Sequence, residues 1–196
     1  MISVVVLISG SGSNLLSLLK KSENPLYPAK IVAVGSDLDA SGLEHAELYE
    51  VDTFIVRPEL FSSKEQWAKT LLANVQHHQP DLVVLAGFMK ILPANFVAAL
   101  KGKLINIHPS LLPDFKGAHA VRDALAAGAT KTGVTIHYVD EGVDTGEVIV
   151  QAEVAIEPGD TEQILHERIK KIEHELLGST IEQLAYKQKP VLRVES

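Results

Sequence analysis

The sequence predicts an α/β protein with a doubly wound, mostly parallel sheet in a single domain. Short runs rich in Val, Ile and Leu alternate along the chain with longer stretches whose apolar residues recur at helical spacing. An apolar run without polar alternation is typical of a parallel strand that helices cover on both faces. The length of 196 residues suits one sizeable core, and no linker or composition shift interrupts it. We therefore expect one domain over residues 1–196.

The first strand is predicted at residues 3–8, and a loop of alternating serine and glycine leads from it into a helix. Residues 9–14 are Ser-Gly-Ser-Gly-Ser-Asn, and leucines at helical spacing follow them. Glycines let a ligand approach the backbone, and Ser13 or Asn14 can cap a helix whose free amides attract an anion. The loop therefore predicts a phosphate-monoester site.

Other glycine loops that bind phosphate have different signatures. A P-loop needs a lysine directly after its glycines, and this loop contains none. A dinucleotide-binding fingerprint needs a third glycine where Leu15 stands, although Asp37 lies near the place of a ribose-binding acid. A tight strand-to-helix turn without any ligand is the purely structural alternative. The phosphate-monoester site fits best, and a dinucleotide-binding domain stays open.

The next segments continue the alternation of strands and helices. The predicted order is a strand at 30–36, a helix at 41–50, a strand at 53–56, a helix at 64–78 and a strand from 81. Four apolar residues then occupy a loop: Phe88, Met89, Ile91 and Leu92. They either return to the core or line a pocket for a flat apolar ligand, and Lys90 among them can meet an anionic group.

The strand predicted at residues 104–108 carries two polar side chains that a buried strand does not need. Asn106 and His108 are two residues apart, so both side chains leave the same face of the strand. Pro109 ends the strand and so places the imidazole at the rim of the sheet, where open parallel sheets bind ligands. Both residues are candidates for catalysis, and the alternative is that they satisfy backbone groups of a loop.

Another strand and an acidic loop follow a short alanine-rich helix. The strand at 131–139 places Thr135 and His137 on one face. Residues 140–147 carry four acids and two glycines, a composition typical of a solvated turn. Their spacing does not fit an EF-hand calcium loop.

The last predicted strand spans residues 148–156, and a long helix runs from 160–161 to about 185 with one apolar face. Lys170 and Glu173 are three residues apart on this helix. From their spacing and composition alone, we expect them to form an ordinary surface pair.

Composition excludes several classes of function. The net charge is −7 and the basic residues form no stripe, which argues against a nucleic-acid partner. No apolar stretch approaches the length of a membrane span, and the amino terminus lacks the basic segment of a signal peptide. The chain has no cysteine, which fits a cytoplasmic protein without disulfides or thiolate metal sites. We expect small-molecule partners and no metal.

Five segments together resemble the glycinamide ribonucleotide formyltransferase family of purine biosynthesis. They are residues 7–15, 83–89, 106–113, 133–137 and 140–146, so the resemblance covers nearly the whole chain. An Asn-x-His-Pro-Ser segment with a later aspartate is shared by folate-dependent formyltransferases in general. The Gly-Ser-Gly-Ser-Asn loop and the short chain narrow the resemblance to this family.

The resemblance implies a Rossmann-like formyltransferase fold and a one-carbon transferase. Such an enzyme transfers the formyl group of 10-formyltetrahydrofolate, its co-substrate, to the amine of glycinamide ribonucleotide. The half at about 1–100 is expected to bind phosphate, and the half at about 101–196 to carry catalysis and folate binding. The implied strand order is 3-2-1-4-5 with later strands at the far edge, and the site lies between the first and fourth strands.

The resemblance also implies roles for individual residues. The catalytic trio is Asn106, His108 and Asp144. The residues that bind glycinamide ribonucleotide are Gly12, Ser13, Asn14, Lys170 and Glu173. The folate pocket consists of Lys64, Met89, Lys90, Ile91, Leu92, Asn106, Val139, Asp140, Glu141 and Val143. His137 and Thr135 support the trio. Some relatives carry arginine at positions 64 and 90. Lysine keeps the positive charge of arginine but lacks its planar guanidinium group.

These roles agree with the chemistry of formyl transfer. Attack of an amine on a formyl carbon creates an oxyanion, which Asn106 and a protonated His108 can stabilise as donors. Asp144 can stabilise the protonated imidazole and relay the surplus proton. A formyl-folate hydrolase or a formyltransferase for another amine stays open, since both use the same trio. We expect a monomer or a homodimer.

Overall fold

Seven strands form one sheet, and helices pack against both of its faces. The computed structural model describes residues 1–188. The strands are β1 (Ile2–Ile8), β2 (Ala29–Ser36), β3 (Asp52–Ile55), β4 (Leu82–Leu85), β5 (Leu104–His108), β6 (Lys131–Tyr138) and β7 (Val148–Ala155). The helices are α1 (Ser13–Ser22), α2 (Leu43–Leu48), α3 (Lys64–His77), α4 (Ala94–Ala99), α5 (Ala120–Ala126) and α6 (Glu162–Gln188). A short 3-10 turn at Pro58–Leu60 precedes α3.

The strand order is β3-β2-β1-β4-β5-β6-β7, which confirms the predicted order with the later strands at the far edge. Strands β1 to β5 pair in parallel, whereas β6 and β7 add to the sheet in antiparallel fashion. The chain winds from β1 to one side as far as β3 and then crosses to β4. This reversal opens a crevice beyond the carboxyl ends of β1 and β4, the usual ligand site of such sheets.

The two faces of the sheet bury separate apolar layers. One layer contains Leu15 and Leu18 from α1 with Ile169 and Leu177 from α6. The other contains side chains from α3 and α4, with Trp67 at its centre. Burial on both faces explains why the parallel strands are apolar without alternation. Within residues 1–188, no helix combines the length and apolar character needed to cross a bilayer.

Helix α1 begins differently from the sequence prediction, which gave its cap to Ser13 or Asn14. The residue at the cap position is Gly12, in the left-handed conformation with φ of 68° and without a side-chain hydrogen bond. Ser13 and Asn14 belong to the first helical turn. The prediction was wrong because the chain turns on a glycine, so main-chain N–H groups of the first turn stay free for a ligand.

Gly12 packs directly against the backbone of Gly42, at the start of α2. A Cβ atom on Gly12 would lie 2.9 Å from the Cα of Gly42, and one on Gly42 would lie 2.9 Å from the carbonyl oxygen of Gly10. The Gly42 N–H also donates to that oxygen at 3.0 Å. The glycine loop therefore takes its shape from a backbone contact that leaves no room for a side chain.

We expect Gly42→Ala to destabilise the protein by about 1–3 kcal/mol, because the added methyl group must displace the loop at 10–12. Its φ of −64° is open to alanine, so the effect comes from contact and not from backbone strain. Denaturant unfolding measures the free energy. Gly10→Ala is the matched control, because a Cβ there meets nothing within 4 Å. Equal stability of the two variants would contradict this account of the loop.

Candidate active site

A cavity of about 530 Å³ opens at the predicted place, beyond the carboxyl ends of β1, β4 and β5. Its walls are the loops that follow these strands, the loop between β6 and β7, and one face of α6. The lining includes Gly10 to Asn14, Leu85 to Leu92, Asn106 to Pro109, Val139, Asp140, Val143, Asp144, Lys170 and Glu173. The structure thus brings together most of the residues proposed from the sequence.

Asn106 lies beside His137 because β5 and β6 pair in antiparallel register, with these two residues as direct partners. The Nδ1 atom of His137 is 2.8 Å from the carbonyl oxygen of Tyr138, which only accepts, so Nδ1 carries the hydrogen. In the neutral ring Nε2 is then an acceptor. It takes a hydrogen bond from Asn106 Nδ2 at 3.2 Å, and this contact orients the amide.

His108 makes a contact through each of its ring nitrogens. Nε2 is 2.9 Å from the carbonyl oxygen of Phe115, so Nε2 carries a hydrogen. Nδ1 is 3.5 Å from Asp144 Oδ2. The imidazolium satisfies both contacts, because a neutral ring with hydrogen on Nε2 would turn a lone pair toward the carboxylate. A proton added to the ring therefore lies on Nδ1, beside Asp144.

Asp144 is the point at which these contacts converge. Its Oδ1 atom is 3.5 Å from Asn106 Nδ2 and 3.7 Å from His137 Nε2. Oδ2 accepts the Gly117 N–H at 2.8 Å. Burial by itself raises the pKa of the Asp144 carboxyl. The nearby His137 side chain, the hydrogen bond from the Gly117 N–H and the charge of His108 together outweigh burial and lower that pKa to about 2.

The acidic loop holds Asp144 in a conformation that is costly for a side chain, with φ of 51°. Asp140 Oδ1 stabilises the loop by accepting from the Gly142 N–H at 3.1 Å and from Thr145 Oγ1 at 2.7 Å. A Cβ on Gly146 would lie 1.8 Å from the carbonyl oxygen of Tyr138. The two glycines of this loop therefore allow close approaches that keep the carboxylate in place.

The opposite end of the cavity combines the start of α1 with one face of α6. The expectation of a Lys170–Glu173 surface pair was wrong: Lys170 pairs with Glu167 at 2.8 Å, and Glu173 is only 6% exposed. Packing of α6 against α1 buries Glu173, whose Oε2 accepts from Asn14 Nδ2 at 3.1 Å. Burial raises the pKa of Glu173, against the opposing effects of Asn14 and Lys170.

Asn14 itself is 8% exposed, and its Oδ1 atom has no hydrogen-bond partner within residues 1–188. The free main-chain N–H groups at the start of α1 suit an anion, while the carboxylate of Glu173 and the free oxygen of Asn14 suit donors. This end of the cavity can therefore bind a molecule that carries a phosphate next to hydroxyl or amine groups.

The wall of the cavity formed by the loop after β4 is apolar and open to solvent. Met89 and Ile91 are 67% and 62% exposed, although both line the cavity. Phe88 stacks on Trp67 with ring centroids 6.4 Å apart, which ties this loop to the core. The apolar loop thus does not return to the core as a whole, and its exposed side chains favour the predicted pocket for an apolar ligand.

Three residues proposed from the sequence do not line the cavity. Lys64 is exposed at the start of α3, and Glu141 lies in the acidic loop outside the cavity lining. Thr135 is buried on β6 outside the cavity lining. Its Oγ1 donates to the Ser110 carbonyl at 2.6 Å and accepts from the Leu112 N–H at 3.1 Å. Thr135 therefore supports the turn after β5, and the folate roles of Lys64 and Glu141 stay predictions.

Several contributors to the site were missed in the sequence. The Phe115 carbonyl and the Gly117 N–H are main-chain groups, which no side-chain pattern identifies. His166 also lines the cavity, one turn before Lys170 on α6, and this helical spacing was the available signal. No group of three His, Asp or Glu side chains suited to a metal ion occurs within residues 1–188.

Comparison with known proteins places this site in a family. The sequence model described as formyl transferase matches residues 2–181. The phosphoribosylglycinamide formyltransferase of Mycobacterium tuberculosis is 46% identical over 93% of this chain and 84% of its own. The human trifunctional purine biosynthetic protein adenosine-3 is 39% identical over 93% of this chain, which spans 18% of that protein.

Solved structures agree in fold over nearly the whole chain. Glycinamide ribonucleotide transformylase 1 from Symbiobacterium toebii superposes with a TM-score of 0.93 and 38% identity, covering 98% of this chain and 92% of its own. Phosphoribosylglycinamide formyltransferase from Brucella melitensis gives a TM-score of 0.89 and 40% identity, with coverage of 97% and 98%. The chain therefore belongs to the formyl transferase family and, within it, to the phosphoribosylglycinamide formyltransferases.

Proposed function

We propose that this enzyme transfers the formyl group of 10-formyltetrahydrofolate to the amine of glycinamide ribonucleotide in de novo purine biosynthesis in the cytoplasm. The products are formylglycinamide ribonucleotide and tetrahydrofolate. One observation carries the proposal: a single cavity joins a helix N-terminus, an Asn-His-Asp cluster and an exposed apolar loop. The named relatives supply the identity of the two substrates.

Glycinamide ribonucleotide binds at the α1 end of the cavity. Its phosphate accepts from main-chain N–H groups of Gly12, Ser13 and Asn14, and the dipole of α1 favours the negative charge. Lys170 is half-buried on the same wall and supplies a positive charge. Glu173 accepts from ribose hydroxyls or from the substrate amine, which offsets the cost of its burial.

The folate lies along the apolar loop, with its formyl group toward the Asn-His-Asp cluster. Met89, Ile91, Leu92 and Val143 offer apolar surface to a flat ring system. Lys90 stands at the edge of this surface with its side chain 45% exposed, where a cation can meet an anionic tail. On the other side the pocket is closed by Val139, Asp140, Gly142 and Val143.

The reaction begins when the substrate amine attacks the formyl carbon and the carbonyl π electrons move to oxygen. Asn106 Nδ2 and Nδ1 of the protonated His108 turn the hydrogens of their long contacts with Asp144 toward the oxyanion that forms. Asp144, ionised at neutral pH because its pKa is about 2, stabilises the imidazolium and accepts the proton that the amine loses. The oxyanion then re-forms the carbonyl as the carbon–nitrogen bond to the folate breaks, and the folate nitrogen takes up the proton that Asp144 accepted from the amine.

The proposal is tested by the ultraviolet absorbance of formyl-folate with and without glycinamide ribonucleotide. We expect consumption only when the nucleotide is present, because the amine is the acceptor. Consumption without the nucleotide would identify a hydrolase built on the same trio. No consumption in either mixture would contradict the assignment of the donor.

His108→Ala should lower kcat by at least about 10²-fold, since proton transfer by a positioned group typically contributes about 10²- to 10⁴-fold. Formyl-folate binding, measured by fluorescence titration, should change little because the apolar wall is intact. His77→Ala, at the exposed end of α3, is the matched control and should keep normal turnover. Near-normal turnover of His108→Ala would remove His108 from the mechanism.

Glu173→Gln should stabilise the free protein at neutral pH and weaken its substrate binding. The pKa of Glu173 is raised on folding, so the ionised group opposes folding above its folded pKa, and this opposition disappears below its unfolded pKa. The gain measured by thermal unfolding should therefore shrink as the pH falls toward about 4.3, the ordinary pKa of glutamate.

The same variant should raise KM for glycinamide ribonucleotide about tenfold or more, since a hydrogen bond to a charged group is worth about 1.5–3 kcal/mol. KM for formyl-folate should stay near the wild-type value, which serves as the internal control. An unchanged KM for the nucleotide would place its ribose and amine elsewhere.

A further inference from the structure

One buried acid near the cavity has no part in the chemistry described above. Asp37 follows β2 directly and is 2% exposed, yet neither it nor its neighbour Ser9 lines the cavity. Its position after the second strand resembles that of the ribose-binding acid of a dinucleotide domain. The carboxylate instead points to side chains of this chain.

Asp37 lies at the start of a short relay to the apolar loop. Ser9 Oγ donates to Asp37 Oδ1 at 2.5 Å, and the Met89 N–H donates to the same Ser9 Oγ at 2.8 Å. The Ser9 N–H in turn donates to the Gly87 carbonyl at 3.1 Å. Lys90 Nζ is 3.6 Å from the other carboxylate oxygen of Asp37. Three residues at the start of the apolar loop, Gly87, Met89 and Lys90, therefore contact Ser9 or Asp37.

The order of these contacts follows from the chemistry of a hydroxyl group, which has a single hydrogen. Asp37 takes that hydrogen and so leaves the lone pairs of Ser9 Oγ turned toward the Met89 N–H. Without the carboxylate the hydroxyl group rotates freely. Its hydrogen can then point toward the Met89 N–H, and in that orientation no lone pair accepts from Met89. Asp37 therefore keeps Ser9 Oγ oriented as the acceptor for the Met89 N–H.

The ion pair with Lys90 is the weaker of the two links. Its 3.6 Å separation and the 45% exposure of the lysine side chain place it among surface pairs, which contribute little. The 2.5 Å hydrogen bond from Ser9 is charge-assisted, and its carboxylate acceptor is 2% exposed.

We propose that Asp37 is a positioning residue that acts through Ser9 to fix residues 87–92 in the conformation that forms the folate wall. This inference rests on the proposed function, which assigns formyl-folate to that wall. The main chain of Ser9 is held separately by β1 and by the Gly87 carbonyl. Loss of the carboxylate therefore affects the apolar loop and leaves the phosphate loop in place.

The inference is tested first by amide hydrogen exchange in the free protein. Asp37→Ala and Ser9→Ala should both speed exchange of the Met89 N–H about tenfold or more, since a hydrogen bond to Ser9 is lost. Asp37→Asn should retain most of the protection, because the amide oxygen still accepts from Ser9. Asp39→Ala, two residues away and exposed in a pair with Arg57, is the matched control and should change nothing.

Kinetics then show the consequence for the reaction. Asp37→Ala should raise KM for formyl-folate roughly tenfold while kcat and KM for the nucleotide change less than about twofold. Combining it with Ser9→Ala should add little, because both changes break one relay. Asp37→Asn should stay within about threefold of wild type.

Unchanged Met89 exchange in both Asp37→Ala and Ser9→Ala would overturn the inference, even if wild-type turnover agreed with the proposed function. The same holds if Asp37→Asn behaved like Asp37→Ala, since Lys90 would then be the operative partner. If the wild-type enzyme does not consume formyl-folate, the proposed function is refuted. The positioning role of Asp37 is still tested in that case, because the exchange experiment uses the free protein without substrate. If Asp37→Ala fails to fold, Ser9→Ala still decides the outcome.

Discussion

The active site depends on one carboxylate, that of Asp144, which faces two histidines and an amide at once. His108 presents Nδ1 to it and His137 presents Nε2, because main-chain carbonyls occupy the other nitrogen of each ring. The antiparallel pairing of β5 with β6 brings Asn106 and His137 side by side. The acidic loop holds Asp144 in a left-handed conformation, and its glycines allow the loop to pack closely against Thr145 and the Tyr138 carbonyl. The sheet supplies the donors, and the loop supplies the charge.

Around this cluster the fold builds the two proposed substrate sites differently. The proposed phosphate end uses regular structure, since α6 packs against α1 and buries Glu173 beside Asn14. The proposed folate wall is a loop with exposed apolar side chains, and hydrogen bonds from Met89 to Ser9 and from Ser9 to Asp37 tie it to the sheet. In the proposed mechanism these two ends place the amine and the formyl group near His108, as catalysis by positioning requires.

The sequence predicted what depends on neighbours along the chain. The succession of strands and helices, the glycine loop and the shared face of Asn106 and His108 follow from apolar runs, turn residues and the period of a strand. The order of the strands in the sheet came from the family resemblance. The sequence did not predict the burial of Glu173, because its partner Asn14 is 159 residues away. It also missed the role of the Phe115 carbonyl, which depends on how the loop after β5 folds back. Long-range packing and main-chain groups leave no pattern in a single sequence.

The most direct test of this account is which ring nitrogens of the active-site histidines carry hydrogen, measured by ¹H–¹⁵N correlation NMR of the free protein. The account predicts hydrogen on Nε2 of His108, whether or not Nδ1 also carries one, and hydrogen on Nδ1 of His137. Spectra in which Nε2 of His108 lacks a hydrogen, or in which neutral His137 carries its hydrogen on Nε2, would contradict the arrangement from which the mechanism is derived.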